Sequence, residues 1–208
     1  MRRVLWGRTT SSNVMKVIWL LEELGLPYER IDAGLAFGRN DTPEYRAMNP
    51  TGLVPTLEEE GGFSLWESNA ILRYLCNALP DETPYYPRAA RARADVDRWL
   101  DCQQTQGRPQ TIIFQTLVRT PPEKRDAAAL AQAVIDAGHI WGFLETRLAR
   151  HAFLCGDAIT IADIAWGVHV HRWFALDIDR KPLPHLRAWY DRLLARPVYA
   201  AHIARPLV

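Results

Sequence analysis

The sequence predicts an α/β domain with a mixed four-stranded sheet, followed by an all-α helical domain. Three observations carry this. Strand-like and helix-like periods alternate through residues 1–80, a proline cluster then interrupts the chain, and beyond it only helical spacings remain.

Val4-Leu5-Trp6 reads as a short buried strand closed by Gly7, and Thr9-Thr10-Ser11-Ser12-Asn13 as a hydroxyl-rich turn. Val14, Val17, Ile18, Leu21 and Leu24 then fall at helical spacing, and Gly25 supplies the stop. A second strand is expected around Tyr28 to Ile31, a loop over 32–41, and a short helix from Thr42-Pro43-Glu44 that ends before Asn49-Pro50. Pro55 stands directly before a third strand, Thr56 to Glu59. Gly61-Gly62 reads as a two-residue hairpin turn and Phe63 to Trp66 as the return strand. After Glu67-Ser68-Asn69, the positions Ile71, Leu72, Leu75 and Leu79 begin a helix. Strands one and two, joined through a helix, should be parallel, and the last two antiparallel.

Pro80, Pro84 and Pro87 mark residues 81–87 as a linker between domains at 1–80 and 88–208. Beyond it, one long helical segment is expected from Arg88 to about Leu117. Thr120-Pro121-Pro122-Glu123 matches a capping box and is expected to open a long helix running through Leu148. Thr160-Ile161-Ala162-Asp163 is a second such start, with Asp in place of Glu, leading a very apolar helix through Val170. A last helix spans Pro184 to Ala195, stopped by Arg196-Pro197.

The 208 residues suffice for a buried core, and a formal net charge of +1 points to neither nucleic acid nor an anionic membrane as partner. Cys76, Cys102 and Cys155 form no CxxC pair, which argues for a reducing compartment and against a zinc or dithiol centre; each is read as a small apolar residue on a helix face. The apolar run after Met1-Arg2-Arg3 ends at once, so no signal peptide is read, and no stretch approaches the ~20 apolar residues of a membrane span. A soluble cytoplasmic protein is the expectation. His169 and His171 fall on different helix faces, so no metal site is expected.

The chemistry concentrates in Asn49 to Ile71. A proline at the mouth of a strand cannot donate to the ladder. Were its peptide bond cis, Val54 would present both N–H and C=O to something other than its neighbours, as an edge onto which an extended peptide adds. A few residues on, Ser68 opens a helix whose free N–H groups favour a carboxylate. Two backbone-reading devices on one hairpin suggest a small peptide ligand with a free acid. Ligands collect at the carboxyl ends of strands, so the turn carrying Ser11 to Asn13 should lie beside both. Any of Ser11, Ser12 and Asn13 is also an ordinary helix cap.

Here the chain resembles the cytosolic glutathione transferases, with their thioredoxin-like N-terminal domain and all-helical C-terminal domain. Ser11-Ser12-Asn13-Val14-Met15-Lys16-Val17 resembles the serine-bearing turn of the theta, delta and phi classes. Asn49-Pro50-Thr51-Gly52-Leu53-Val54-Pro55-Thr56-Leu57, followed by Glu67-Ser68, resembles the glutathione-binding segment. Gly156-Asp157-Ala158-Ile159-Thr160-Ile161-Ala162-Asp163 resembles the C-terminal folding motif. The likeness covers essentially the whole chain.

The resemblance implies a glutathione transferase that joins the thiolate of bound glutathione, as co-substrate and with no permanently bound cofactor, to a hydrophobic electrophile. Ser11 would donate a hydrogen bond to the thiolate, with Ser12 the alternative and Thr9 a distant third. Val54, after which Pro55 turns the chain, would pair with the cysteinyl backbone. Ser68 would take the γ-glutamyl carboxylate and Glu67 would orient the γ-glutamyl amine, with Asn13 and Asn40 as further contacts. Gln103, Gln106, Phe114 and Trp166 would help to line an acceptor pocket between the domains, and a homodimer is implied. The glycine end departs from the pattern: Asn40-Asp41 stands where phi-class relatives have His-Lys, and Leu53 where a glutamine is common. Two other readings fit the scaffold. A maleylacetoacetate isomerase-like enzyme would carry Cys and Arg where Val14 and Lys16 stand, and a non-catalytic binding module would keep the fold without turnover.

Overall fold

The computed structural model describes residues 2–208; Met1, which begins the N-terminal stretch read above, lies outside the described residues. The chain divides into two compact units, one ending at Glu82 and one from Thr83 to Val208.

The first unit holds strands β1 (Arg3–Trp6), β2 (Glu29–Ile31), β3 (Thr56–Glu59) and β4 (Ser64–Trp66), with helices α1 (Ser12–Glu23), α2 (Pro43–Met48) and α3 (Ser68–Asn77). The sheet order is β2-β1-β3-β4. β1 runs parallel to β2, with Leu5 opposite Arg30, and antiparallel to β3, with Leu5 opposite Leu57; β3 and β4 are antiparallel. This is the mixed four-stranded sheet the alternating pattern predicts. Leu5 and Leu57 are fully buried, as are Val14, Val17, Leu21, Ile71 and Leu72 on α1 and α3, which pack together. Gly25, at φ +62, lets the chain leave α1 in the left-handed conformation that a helix end favours.

The β3–β4 turn differs from the two-residue Gly-Gly hairpin. Its loop is Glu60-Gly61-Gly62, closed by Glu59 N–H to the Phe63 carbonyl (2.9 Å) and Gly62 N–H to the Glu59 carbonyl (3.2 Å). Both glycines sit at positive φ, and taking in Glu60 lets that pair fit a three-residue loop. The loop at 32–41 also contains one 3₁₀ turn, Leu35–Phe37.

The second unit is helical: α4 (Ala90–Gln106), α5 (Arg108–Phe114), α6 (Ala127–Leu148), α7 (Ile161–Ala175), α8 (Pro184–Leu194) and α9 (Pro197–His202). The single long helix expected to Leu117 is two. The ring nitrogen of Pro109 has no proton to donate and its bulk disfavours a continuous helix, so the break falls at Gly107. Past α5 the chain widens through Gln115–Arg119 and closes with Thr120 N–H on the Gln115 carbonyl, five residues back, at 2.9 Å. The Thr120 hydroxyl bonds the same carbonyl (3.1 Å). It is therefore not the cap of the next helix, contrary to the capping-box reading. Pro122–Lys124 forms a short 3₁₀ turn, and α6 is capped by Asp126, whose Oδ1 accepts from Ala129 N–H at 2.9 Å.

At 22 residues, α6 is long and apolar enough, by length and composition alone, to cross a membrane, so the reading that no stretch approaches that length fails here. It nevertheless packs on α5 and α8 and buries Ala137, Ile140, Trp141 and Leu144. Nearly all of α7 is buried, and the Trp141 and Trp166 rings meet edge to face at 5.6 Å. Pro197 begins α9 as well as ending α8; α9 buries Tyr199, whose hydroxyl donates to the Gly167 carbonyl at 2.8 Å. Cys155 lies in the Phe153–Gly156 turn rather than on a helix face, and burial pushes its thiol, like that of Cys76, up to about 12.

Candidate functional site

In the first unit three chain segments converge at one end of the sheet, and Gly7 shows how tightly. A Cβ built there would stand 2.4 Å from Val14 Cγ2 and 3.2 Å from Val54 Cβ, so only glycine lets β1, α1 and the Val54 step approach this closely. The turn after β1 then delivers Ser11 to the start of α1. Its backbone is that of a cap residue (φ −83°, ψ 123°) and its carbonyl accepts from Met15 N–H at 2.9 Å, but its hydroxyl makes no capping bond. That hydroxyl, half-buried at a helix N-terminus, is left for another partner.

The Val54–Pro55 peptide bond is cis, and the ladder with β1 begins only at Thr56, opposite Trp6. Val54 thus stands outside both strand pairs of β3. What holds the step is the preceding carbonyl. Leu53 O accepts from the Tyr45 hydroxyl (2.6 Å) and Asn49 Nδ2 (2.9 Å), and both groups also reach Thr56 Oγ1 on the far side of the proline, at 2.8 and 2.9 Å. Asn49 Oδ1 in turn accepts from the backbone and hydroxyl of Thr51. Asn49 is 1% exposed, and it is a buried clamp on the Leu53–Thr56 segment. Burial also pushes the Tyr45 phenol up, which keeps it a hydrogen-bond donor across the ordinary pH range.

At the third corner, the cap position of α3 belongs to Glu67, and Ser68 is the first helical residue. Glu67 adopts φ +67°, a left-handed conformation unfavourable for a non-glycine residue, by about 1 kcal/mol or more. Ser68 is buried, and its hydroxyl donates to Asn13 Oδ1 at 3.3 Å, which joins the first turn of α1 to the start of α3. Beneath it, the ammonium of Lys16 reaches Ser68 Oγ (3.4 Å) and Asn69 Oδ1 (3.3 Å). Ser11, Asn13, Val54, Pro55, Glu67 and Ser68 all lie in this one unit.

Asn40 lies farther along. Its Nδ2 donates to the Gly52 carbonyl at 2.7 Å, so one of its two amide protons is taken by the loop. Two arginines that the sequence reading passed over lie at nearby loop glycines, Arg46 at the Gly52 that Asn40 bonds and Arg8 at Gly34. A Cβ on Gly52 would lie 3.0 Å from Arg46 Nη2, and one on Gly34 2.8 Å from Arg8 Nη1. Leu53, where a glutamine is common, is 66% exposed.

The chain matches the family models for the N-terminal domain of glutathione S-transferase over residues 1–77 and for the C-terminal domain over 127–192. It is 40% identical over 205 residues to glutathione S-transferase GstB of Escherichia coli, covering 98% of each chain. The chain belongs to the glutathione S-transferase family. Among family members of known structure, a theta class transferase of Xanthomonas axonopodis pv. citri with glutathione bound is 42% identical, covers 99% of both chains and gives a TM-score of 0.93. Glutathione S-transferase 3 of Zea mays is 32% identical, over 96% of this chain and 92% of its own.

The residues proposed from sequence for a glutathione transferase's acceptor pocket fall in the second unit. Trp166 is fully buried and donates Nε1–H to the Trp99 carbonyl at 3.0 Å. Gln103 is buried with Nε2 3.3 Å from His169 Nε2, and Phe114 lies under the Arg172 guanidinium, 3.8 Å from its ring centre. Of the four, Gln106 is the exposed one. His171 bonds Tyr190 and the Arg205 carbonyl, away from His169, and no cluster of three metal-ligating side chains occurs among the described residues. Lys16, Tyr45, Asn49, Arg8 and Arg46 are the site neighbours that periodicity missed. A cation inside an apolar helical stripe was the one available signal, and it pointed to Lys16.

Proposed function

We propose that the protein conjugates glutathione to a hydrophobic electrophile, with Ser11 as the hydrogen-bond donor to the thiolate. The observation that carries this is the Ser11 hydroxyl, unused by the helix it begins, on a helix whose Val14 meets Gly7 next to Val54 and whose Asn13 meets Ser68. The glutathione-bound relative supports the choice of ligand.

A thiol with a pKa of about 8.5 is only a few per cent ionised at pH 7. Lowering it by two units takes about 2.7 kcal/mol of preferential thiolate stabilisation. One hydrogen bond to an ion contributes about 1.5–3 kcal/mol, and the N-terminal end of α1 adds some tenths. Ser11 is adequate to that task as a donor, and a serine hydroxyl is no base near neutrality. The thiol proton leaves to solvent, the sulfur attacks the electrophilic carbon, and the leaving group departs with the bonding pair. The cysteinyl backbone pairs with the N–H and C=O of Val54, the γ-glutamyl carboxylate sits on Ser68 and the free N–H groups of α3, and Glu67 meets the γ-glutamyl amine.

The test is direct. Glutathione titrated into the protein at pH 7 should produce thiolate absorbance, and a generic aryl halide should be turned over. Binding without thiolate or turnover would favour the non-catalytic module instead.

At the glycine end, Asn40 and Arg46, both beside Gly52, stand against Asp41. We expect glutathione to compete better than its glycine-amidated form, by roughly 1.5- to 5-fold, as for an exposed charge pair worth up to about 1 kcal/mol. A clear preference for the amide would remove carboxylate recognition from the scheme.

A further inference from the structure

Lys16 lies on α1 between the buried residues Val14 and Val17, and its side chain is 0% exposed. Placing an ammonium inside a helix-packing face is costly unless its protons are received by good acceptors. Two of those acceptors are Ser68 Oγ and Asn69 Oδ1, the first two side chains of α3. The consequence lies in the chemistry of the donors. An ammonium carries protons and no lone pair, so Ser68 Oγ must accept from it. A hydroxyl has a single proton, and with Lys16 on one lone pair that proton is directed elsewhere. In the ligand-free protein it is directed to Asn13 Oδ1, at 3.3 Å.

We infer that Lys16 is a positioning residue for the γ-glutamyl carboxylate. It fixes the Ser68 hydroxyl as a donor toward the mouth of α3. This rests on the proposed glutathione site and deepens it. When the carboxylate arrives, the Ser68 proton turns from a neutral amide oxygen to a charged one, and the bond strengthens because both of its ends are charge-assisted. Asn13 is the resting acceptor that keeps the proton satisfied in the meantime. Lys16 is expected to act on binding, through Ser68 and Asn69 at the start of α3.

The experiment compares glutathione with the analogue lacking the γ-glutamyl α-carboxylate, 4-aminobutanoyl-cysteinyl-glycine, by calorimetry and steady-state kinetics. The proteins are wild type, Lys16→Met, Lys16→Gln, Ser68→Ala and the Lys16→Gln/Ser68→Ala double variant. Wild type should prefer glutathione, roughly 100-fold, as expected for a charge-assisted, partly buried contact. Lys16→Met should lose about tenfold or more of that preference through KM for glutathione, with kcat at saturation and analogue binding held within about twofold. Because Lys16 works through Ser68, the double variant should be no worse than Ser68→Ala alone, and this comparison stands even where Lys16→Met fails to fold. Equal weakening of both ligands, a fall confined to kcat, or additive losses would overturn the inference. A wild type that does not distinguish the two ligands would instead overturn the glutathione site itself, and this inference with it.

Discussion

Ser11→Ala is expected to move the pH profile of conjugation more than its plateau. Removing one hydrogen bond to an ion forfeits about 1.5–3 kcal/mol of thiolate stabilisation, which raises the bound thiol by about one to two pKa units. The sign follows from the reactive form. Thiolate is the deprotonated species, so raising its pKa lowers the reactive fraction at neutral pH and leaves it unchanged well above the new pKa. From a bound thiol near pH 6.5, kcat/KM at that pH should fall roughly 5- to 50-fold, and by pH 9 the deficit should shrink to less than about 1.5-fold. A more basic thiolate is also intrinsically more nucleophilic, which narrows the gap further. Rates from pH 6 to 9.5, with thiolate absorbance over the same range, provide the check. A uniform loss across all pH values would assign Ser11 to substrate geometry; unchanged rates would pass the role to Ser12, the first residue of α1.

The sheet and the helical run after it were legible because each rests on periodicity, which reports burial directly. Val4-Leu5, the α1 stripe and the capping box at Thr160 required only local pattern. What failed were boundaries set by competition between side chains. The Thr120 hydroxyl had two possible acceptors, and the carbonyl of Gln115 took it, so the cap passed to Asp126. Pro197 can stop one helix or start the next, and Tyr199, buried and bonded to Gly167, decided for a start. In the first unit, the places of Ser11, Val54 and Ser68 were readable from local pattern: a turn before α1, a proline before β3 and a helix start after β4. Tyr45 and Asn49 were not. Their role as clamps on the Leu53 carbonyl depends on α2 lying over the Val54–Pro55 step, a relation that no spacing along the chain encodes. Lys16 was visible as an anomaly in an apolar stripe, but its target on α3 is 52 residues away.

Asp163→Ala should be the most damaging single change to stability. The side chain is 0% exposed, and four donors converge on it: Leu154 N–H (2.9 Å), Thr160 N–H (2.9 Å), Thr160 Oγ1 (3.1 Å) and Trp189 Nε1 (3.0 Å). One carboxylate therefore caps α7, pins the turn before it and ties α8 to both. Alanine would strand two backbone amides and an indole N–H in the interior, at about 1–3 kcal/mol each before relaxation, so a net loss of about 3–5 kcal/mol is expected. For a chain of this size that lowers Tm by roughly 6–20 °C. Burial outweighs the four donors in setting its proton affinity, pushing it from 3.8 up to about 6. The folded protein then takes up this proton at higher pH than the unfolded chain does, so the group's contribution to stability grows as pH falls from about 6 to 4 and is lost as pH rises through that window. Its full extent, about two pKa units, is worth about 3 kcal/mol. Asp163→Asn keeps an acceptor but cannot titrate, so its urea midpoint should lack this component between pH 4 and 7, while Asp163→Ala should be low throughout. An alanine variant within about 1 kcal/mol of wild type would mean that water or a shifted Thr160 satisfies those donors, and that the buried start of α7 is held by packing alone.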